Sequence, residues 1–248
     1  MKDFKISLIT VSFNAQKSIS RCIESVIGQT FKNFEYIIID GASTDNTLNI
    51  VRSYTNNIAH LVSEPDKGIY DAINKGIRMA TGDVVGVLHA DDFFTDEHVL
   101  ASIAEAFINN NIQALYADLD YINPEGGIIR KWRSGCYTKG KFNWGWMPPH
   151  PTFYCNKNLF NEYGFYSLEH GTAADYELML RFIHRNKIEP FYLEKVTVKM
   201  KVGGASNKNF SSRVKGLYFD FKAMRRNGIL LPVLTIALKP ARKIIQYF

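Results

Sequence analysis

His89, Asp91 and Asp92 close the stretch "VVGVLHADD", directly after a run of aliphatic residues. Such side chains are costly to hide without partners, and neighbouring carboxylates are the oxygen ligands that Mg²⁺ or Mn²⁺ takes. Other polar groups stand at the same relative place after apolar runs. These are Thr10, Ser12 and Asn14, then Asp40, then Glu64 and Asp66 with Lys67. In an open α/β sheet, ligands bind beyond the carboxyl ends of the strands, so these groups would converge on one site. A nucleotide is the natural ligand. The first turn, "TVSFNAQKS", has no glycine, and no Walker loop is present, which excludes the usual dinucleotide and P-loop solutions. The charge of a diphosphate then falls to a divalent cation, to Lys67, or to both.

The elements that would position these residues follow from periodicity. Ile6 to Val11 reads as a buried strand, and Ile19, Cys22, Ile23, Val26 and Ile27 recur at helical spacing, with Asn14 or Ser18 as cap. Phe34 to Asp40 is a second strand, followed by a helix from Ser43 or Thr44. "AHLVS" is a third, shorter strand, and a helix over Ile69, Ala72, Ile73, Gly76, Ile77 and Ala80 leads to a fourth, "DVVGVLH". Apolar strands alternating with amphipathic helices predict an α/β fold, a mostly parallel central sheet with helices on both faces. Beyond Tyr121 the pattern loosens, then a helix returns at "AADYELMLRFIHRNK" with Tyr176, Met179, Phe182 and Ile183 as its apolar face. Trp132, Trp144 and Trp146, with Tyr137 and Phe142, either stack on a bound ligand or form core under a long loop. The expected organisation is one domain over 1–205, with a nucleotide-binding half (1–120) and a second half that supplies specificity (121–205), then a basic tail over 206–248.

With 248 residues and 46% hydrophobic content, the chain can bury the core of one large domain. Cys22, Cys136 and Cys155 are far apart, without metal-ligand spacing, and read as reduced thiols of a cytoplasmic protein. The opening "MKDFKISLITVSF" fits neither a signal peptide nor a spanning helix. Net charge is +6, yet residues 199–248 hold eleven Lys and Arg against one acid, Asp220. This concentration makes nucleic acid a poor partner. The tail also contains "ILLPVLTIAL", ten residues where a span needs about 20. It would either lie on an anionic membrane surface as a peripheral contact or pack on the domain.

The motifs "SLITVSFNA", "YIIIDGASTDNT", "EPDKGIYDAINKGIRMATGDVVGVLHADD" and "AADYELMLRF" resemble, in order over residues 5–205, those of family-2 glycosyltransferases of the GT-A fold. The likeness is to bacterial enzymes of surface-polysaccharide assembly. It implies inverting transfer from a nucleotide-sugar such as a UDP-sugar, usually with a divalent metal, Mn²⁺ or Mg²⁺. The acceptor it implies is a saccharide, lipid-linked, used in cell-envelope glycan synthesis. Position by position, Asp40 matches the acid that binds the base, or it caps its turn. Thr10 and Ser12 match the loop lining the nucleoside, or satisfy local backbone. Asp66 and Lys67 match a turn near the ribose and phosphates, or simply shape that turn.

One departure stands out. The family pattern is Asp-x-Asp, and His89 occupies its first position. By resemblance Asp91 is the metal ligand and Asp92 orders the loop or binds the donor sugar. His89 is a second ligand, a hydrogen-bond donor or a strand-end filler; as a ligand it would favour Mn²⁺. Asp175 matches the catalytic base, with Glu177 its nearest competitor, although an acid in a first helical turn is also a good helix starter. His150 matches an acceptor-site or phosphate-contact histidine, or satisfies its loop. "GGASN", 203–207, would serve as a lid or merely join the last strand to the tail. The alternative to an enzyme is a degenerate nucleotide-sugar or glycan-binding protein, which the histidine at position 89 favours.

Overall fold

Strands that are apolar on both sides need cover on both sides, and the computed structural model, which describes residues 4–201, 210–244 and 246, provides it. Strands β1 (Ile6–Ser12), β2 (Phe34–Asp40), β3 (His60–Ser63) and β4 (Val84–Val87) alternate with helices α1 (Ile19–Ile27), α2 (Thr47–Arg52) and α3 (Ile69–Met79). All four strands are parallel, with β1 between β2 and β4, and β3 outside β2. The register sets Ser12 beside Asp40, and Asp40 beside Ser63, so three loop beginnings lie side by side.

The second half comprises β5 (Asp92–Phe94), α4 (Val99–Asn110), β6 (Ala114–Ile122), β7 (Ile128–Trp132), β8 (Tyr154–Asn156), α5 (Asn158–Tyr163), α6 (Ala174–Met179), β9 (Pro190–Lys201), α7 (Phe210–Arg226) and α8 (Pro232–Ile244). Among the described residues the sheet runs β3-β2-β1-β4-β8-β6-β9-β5, with β7 on β6. It is mixed but mostly parallel: β8 is antiparallel to β4 and β6, while β9 runs parallel to β6. Gly86 permits the crossing at β8, because a Cβ there would overlap the Tyr154 ring.

The fourth strand differs from expectation. It stops at Val87 instead of reaching His89, and the chain turns so that the Asp92 N–H bonds to the His89 carbonyl at 2.9 Å. Asp92 then begins β5, which lies at the far edge of the sheet on β9. The turn leaves His89 and Asp91 at the rim of the sheet.

Two apolar layers enclose the sheet. Ile9, Ile37, Ile39 and Val85 pack with α3 and α6, while Leu8, Ile38 and Val84 pack with α1 and α4. Each buried aliphatic side chain contributes about 1.5–3 kcal/mol. Tyr176, Met179, Phe182 and Ile183 are all buried, although the helix widens after Met179 into a π-type turn.

At the opposite end of β1, Glu35 binds the sheet to the turn before β4. Burial alone would raise its carboxyl, but hydrogen bonds from Ser7, Thr81 and Lys5 outweigh that and hold it at about 2. The unfolded value is about 4.3, so this contribution is complete above that pH and disappears as pH falls toward 2. Glu35→Gln should cost about 1–3 kcal/mol at pH 7, with the gap to wild type closing between pH 4 and 2 in thermal melts.

Candidate active site

The loops that follow β1, β2 and β3 are tied together by one buried carboxylate. Asp40 accepts hydrogen bonds from the hydroxyls of Ser12 (3.0 Å), Ser43 (2.5 Å) and Ser63 (2.8 Å) and from the Ser43 N–H (2.9 Å). A carboxylate offers about four lone-pair positions, so these donors use its capacity. Thr10 lies within β1, not in a loop, and its buried hydroxyl accepts from Tyr36 at 3.0 Å. Asp66 accepts the Gly68 N–H at 2.7 Å, and its other oxygen lies where a Cβ on Gly41 would come within 2.5 Å. Ser12, Asp40 and Asp66 bond within and between these loop segments, Thr10 lies inside β1, and none of the four lines the cleft described next.

That cleft, of about 530 Å³, brings together Lys67, His89, Asp91, Asp92, His150 and Asp175. The first turn of α3, the end of β9 at Met200 and Lys201, and Leu168, Gly171 and Thr172 before α6 complete its wall. Asp175 sits in the first turn of α6, and its Oδ1 accepts the Tyr176 N–H at 2.8 Å and the Tyr70 hydroxyl at 3.3 Å. His150 Nδ1 is 3.3 Å from Oδ2. Burial raises the Asp175 carboxyl above its ordinary value despite these donors. Burial also lowers His150 to about 4, and burial together with the His150 charge lowers His89 to about 3, so both rings are neutral at pH 7. Their centroids are 5.3 Å apart.

Asp91 is exposed, with Oδ1 accepting the Ser18 hydroxyl at 2.7 Å, so Ser18 supports the acid instead of capping α1. Asp92 is buried with Oδ2 unpaired, and burial, with the Asp91 charge adding, pushes its carboxyl well up. His89 Nδ1 is also buried and unpaired. Among the described residues no three metal-ligating side chains converge. The free oxygens of Asp91 and Asp92 suit a hard cation that completes its shell with ligand phosphates, as Mg²⁺ commonly does.

Sequence reasoning missed Tyr70 because helical spacing marks it only as a core-facing residue, while its hydroxyl reaches Asp175 across 105 residues of chain. Its ring stacks on Tyr166 at 5.5 Å, and Asn74, one turn on, exchanges two hydrogen bonds with the Tyr166 backbone at 2.9 and 3.0 Å. Glu177, the competitor for the base, is buried and paired with Arg181 at 2.8 Å. Arg181 also donates to the carbonyls of Tyr163, Gly164 and Phe165, so the pair fastens α6 to the preceding loop. Phe142 and Trp146 are core, whereas Trp144 is exposed. The proposed lid at 203–207 lies outside the described residues.

The profile of glycosyl transferase family 2 matches residues 7–168. An uncharacterized glycosyltransferase of Mycobacterium tuberculosis is 32% identical over 186 residues, covering 71% of this chain and 68% of its own length. Among solved structures, S. aureus TarS 1–349 in complex with UDP superposes with a TM-score of 0.70 at 21% identity, over 97% of this chain and 68% of that one. The mannosyltransferase PcManGT from Pyrobaculum calidifontis, in complex with GDP-Man and Mn²⁺, gives 0.66 at 16% identity, over 97% and 74%. These two establish the likeness of fold.

Removing one member of a buried ion pair leaves the other uncompensated, at about 3–5 kcal/mol. Arg181→Met should therefore lower the melting temperature sharply, and adding Glu177→Gln should recover the part due to the stranded carboxylate, while the lost bonds to the carbonyls of Tyr163, Gly164 and Phe165 keep the double variant below wild type. No recovery in the double variant would contradict the structural assignment of Glu177.

Proposed function

The chain belongs to glycosyl transferase family 2, and on that footing we propose that it moves a sugar, with inversion, from a nucleoside diphosphate-sugar to the hydroxyl of a lipid-borne saccharide in cell-envelope glycan synthesis. A single observation carries this reading: Asp91 and Asp175, far apart in sequence, face one cleft with Lys67 between the sheet and α3. Asp175 takes the proton of the attacking hydroxyl. Its raised pKa makes it a stronger base than an ordinary carboxylate, while Tyr70 and the Tyr176 N–H hold its Oδ1 and leave Oδ2 toward His150. Neutral His150 adds no charge that would weaken that basicity.

Lys67 and the first turn of α3 offer positive potential to the diphosphate. Asp91, with Asp92 behind it, would hold a divalent cation that offsets the charge growing on the departing nucleoside diphosphate. UDP is the first donor nucleotide to test, as it is the ligand seen in TarS; manganese accompanies GDP-Man in PcManGT. The acceptor reaches the site from a membrane surface. Among the described residues no helix is long and apolar enough to cross one, but α8 and the residues before it leave Leu230, Leu231, Val233 and Leu234 exposed on a strongly basic tail.

Asp175→Asn should reduce transfer by about 10²–10⁴-fold while UDP affinity, read by calorimetry, changes little. Wild-type activity in that variant would remove Asp175 from its role. Chelation should abolish UDP release from the donor, and Asp91→Asn should raise the Mn²⁺ concentration that restores it. Full activity in the presence of chelator would exclude the cation.

A further inference from the structure

The helices of the basic tail touch the two pieces of structure that frame Asp175. The first is the turn at 168–173, which supplies Leu168, Gly171 and Thr172 to the cleft wall. Its backbone departs from helical form at Gly171, where φ is +44° and ψ −127°. Glycine tolerates that conformation, and it also makes room behind the wall, because a Cβ there would overlap the Phe219 ring of α7. From the same helix Lys222 donates to the Glu169 carbonyl at 3.3 Å and lies 3.6 Å from its carboxylate. On the cleft side, Tyr70 donates to the Thr172 carbonyl at 3.4 Å. The wall is thus clamped between α3 and α7.

The second piece is the first turn of α6. Lys239 of α8 places its Nζ 3.7 Å from the centroid of the Tyr176 ring and pairs with Asp220 of α7 at 2.7 Å. Tyr176 is buried, and its N–H is one of the donors that fix Asp175 Oδ1. Phe219 and Asp220 are consecutive, so one turn of α7 backs the wall directly and reaches the base through Lys239. The start of the Lys239 side chain is itself fixed by the turn at 143–145. Thr235 donates to the Asn143 carbonyl at 2.7 Å, and a Cβ on Gly145 would come within 2.9 Å of the Lys239 nitrogen. An irregular turn depends on what packs against it, and a displacement of about 1 Å can cost about 10²-fold in rate.

We propose that α7 and α8 are a positioning element of the transfer reaction, in which Phe219 backs the cleft wall at Gly171 and Lys239 steadies the turn of α6 that carries Asp175. The inference rests on the reading of Asp175 as the base, and it adds that the tail takes part in transfer from inside the fold. Phe219 acts through Gly171, and Lys239 through Tyr176, so both are positioning residues. A cation over an aromatic face and a mostly shielded ion pair give Lys239 two anchors, and a residue that kept both would keep the function.

The test is steady-state UDP release by the full chain, with the donor chosen by screening UDP-hexoses and UDP-N-acetylhexosamines. Phe219→Ala and Lys239→Met should each lower kcat on the order of tenfold to a hundredfold, while KM for the UDP-sugar and the UDP affinity change by less than about twofold. Lys239→Arg should keep at least about half of the wild-type turnover. Ile103→Ala, buried in α4 within the opposite apolar layer, controls for lost stability alone. Its melting temperature should fall while its turnover stays near wild type. Tail variants with unchanged turnover, or with a loss no larger than that of Ile103→Ala, overturn the proposal, and so does a raised KM without a lowered kcat. Asp175→Asn separates the two readings. If it is inactive while the tail variants turn over like wild type, only this inference fails; if it turns over like wild type, the base assignment fails and this inference with it.

Discussion

The site depends on keeping one carboxylate partly out of water without neutralising it. Asp175 is held by its own helix through the Tyr176 N–H, by α3 through Tyr70, and faces His150 from the loop before β8. Burial raises its proton affinity, and the donors keep the charged form accessible. A carboxylate in bulk water would be a weaker base, and one buried without donors would stay protonated. Three segments must therefore be in place together, and much of the second half serves that end. Arg181 and Glu177 fasten α6, and Asn74 fastens the loop before it to α3.

The two halves of the chain do different work. The parallel half makes a bed, in which the serine-lined Asp40 joins the loops after β1, β2 and β3. The mixed half brings Asp175 and, through β9, the far wall of the cleft. α3 belongs to the first half in sequence and to both in contact, because its first turn lines the cleft while Tyr70 and Asn74 reach across. A displacement of α3 would disturb the cleft wall and the contacts of Asp175 at once.

The tail joins the domain and also leaves part of itself uncovered. Thr235, Met224 and Ile229 are buried, whereas Leu230 and Val233 face outward. One face of the tail is packed on the domain, and the other remains apolar and exposed, beside cations. Lys239 is the residue where these roles meet, since it pairs with Asp220 and covers Tyr176.

Periodicity alone determined the order of strands and helices in the first half, because strands covered on both faces must be apolar throughout and their helices must be amphipathic. The motif order marked out Lys67, Asp91 and Asp175, which the fold gathers into one cleft. It could not tell that Asp40 spends its lone pairs on Ser12, Ser43 and Ser63, since strand register decides which side chains become neighbours. Nor could it find Tyr70 or Asn74, whose roles rest on contacts between distant segments. Local pattern records which surfaces must be buried. Only the packed chain decides which polar groups satisfy one another, and hence which are left for a ligand.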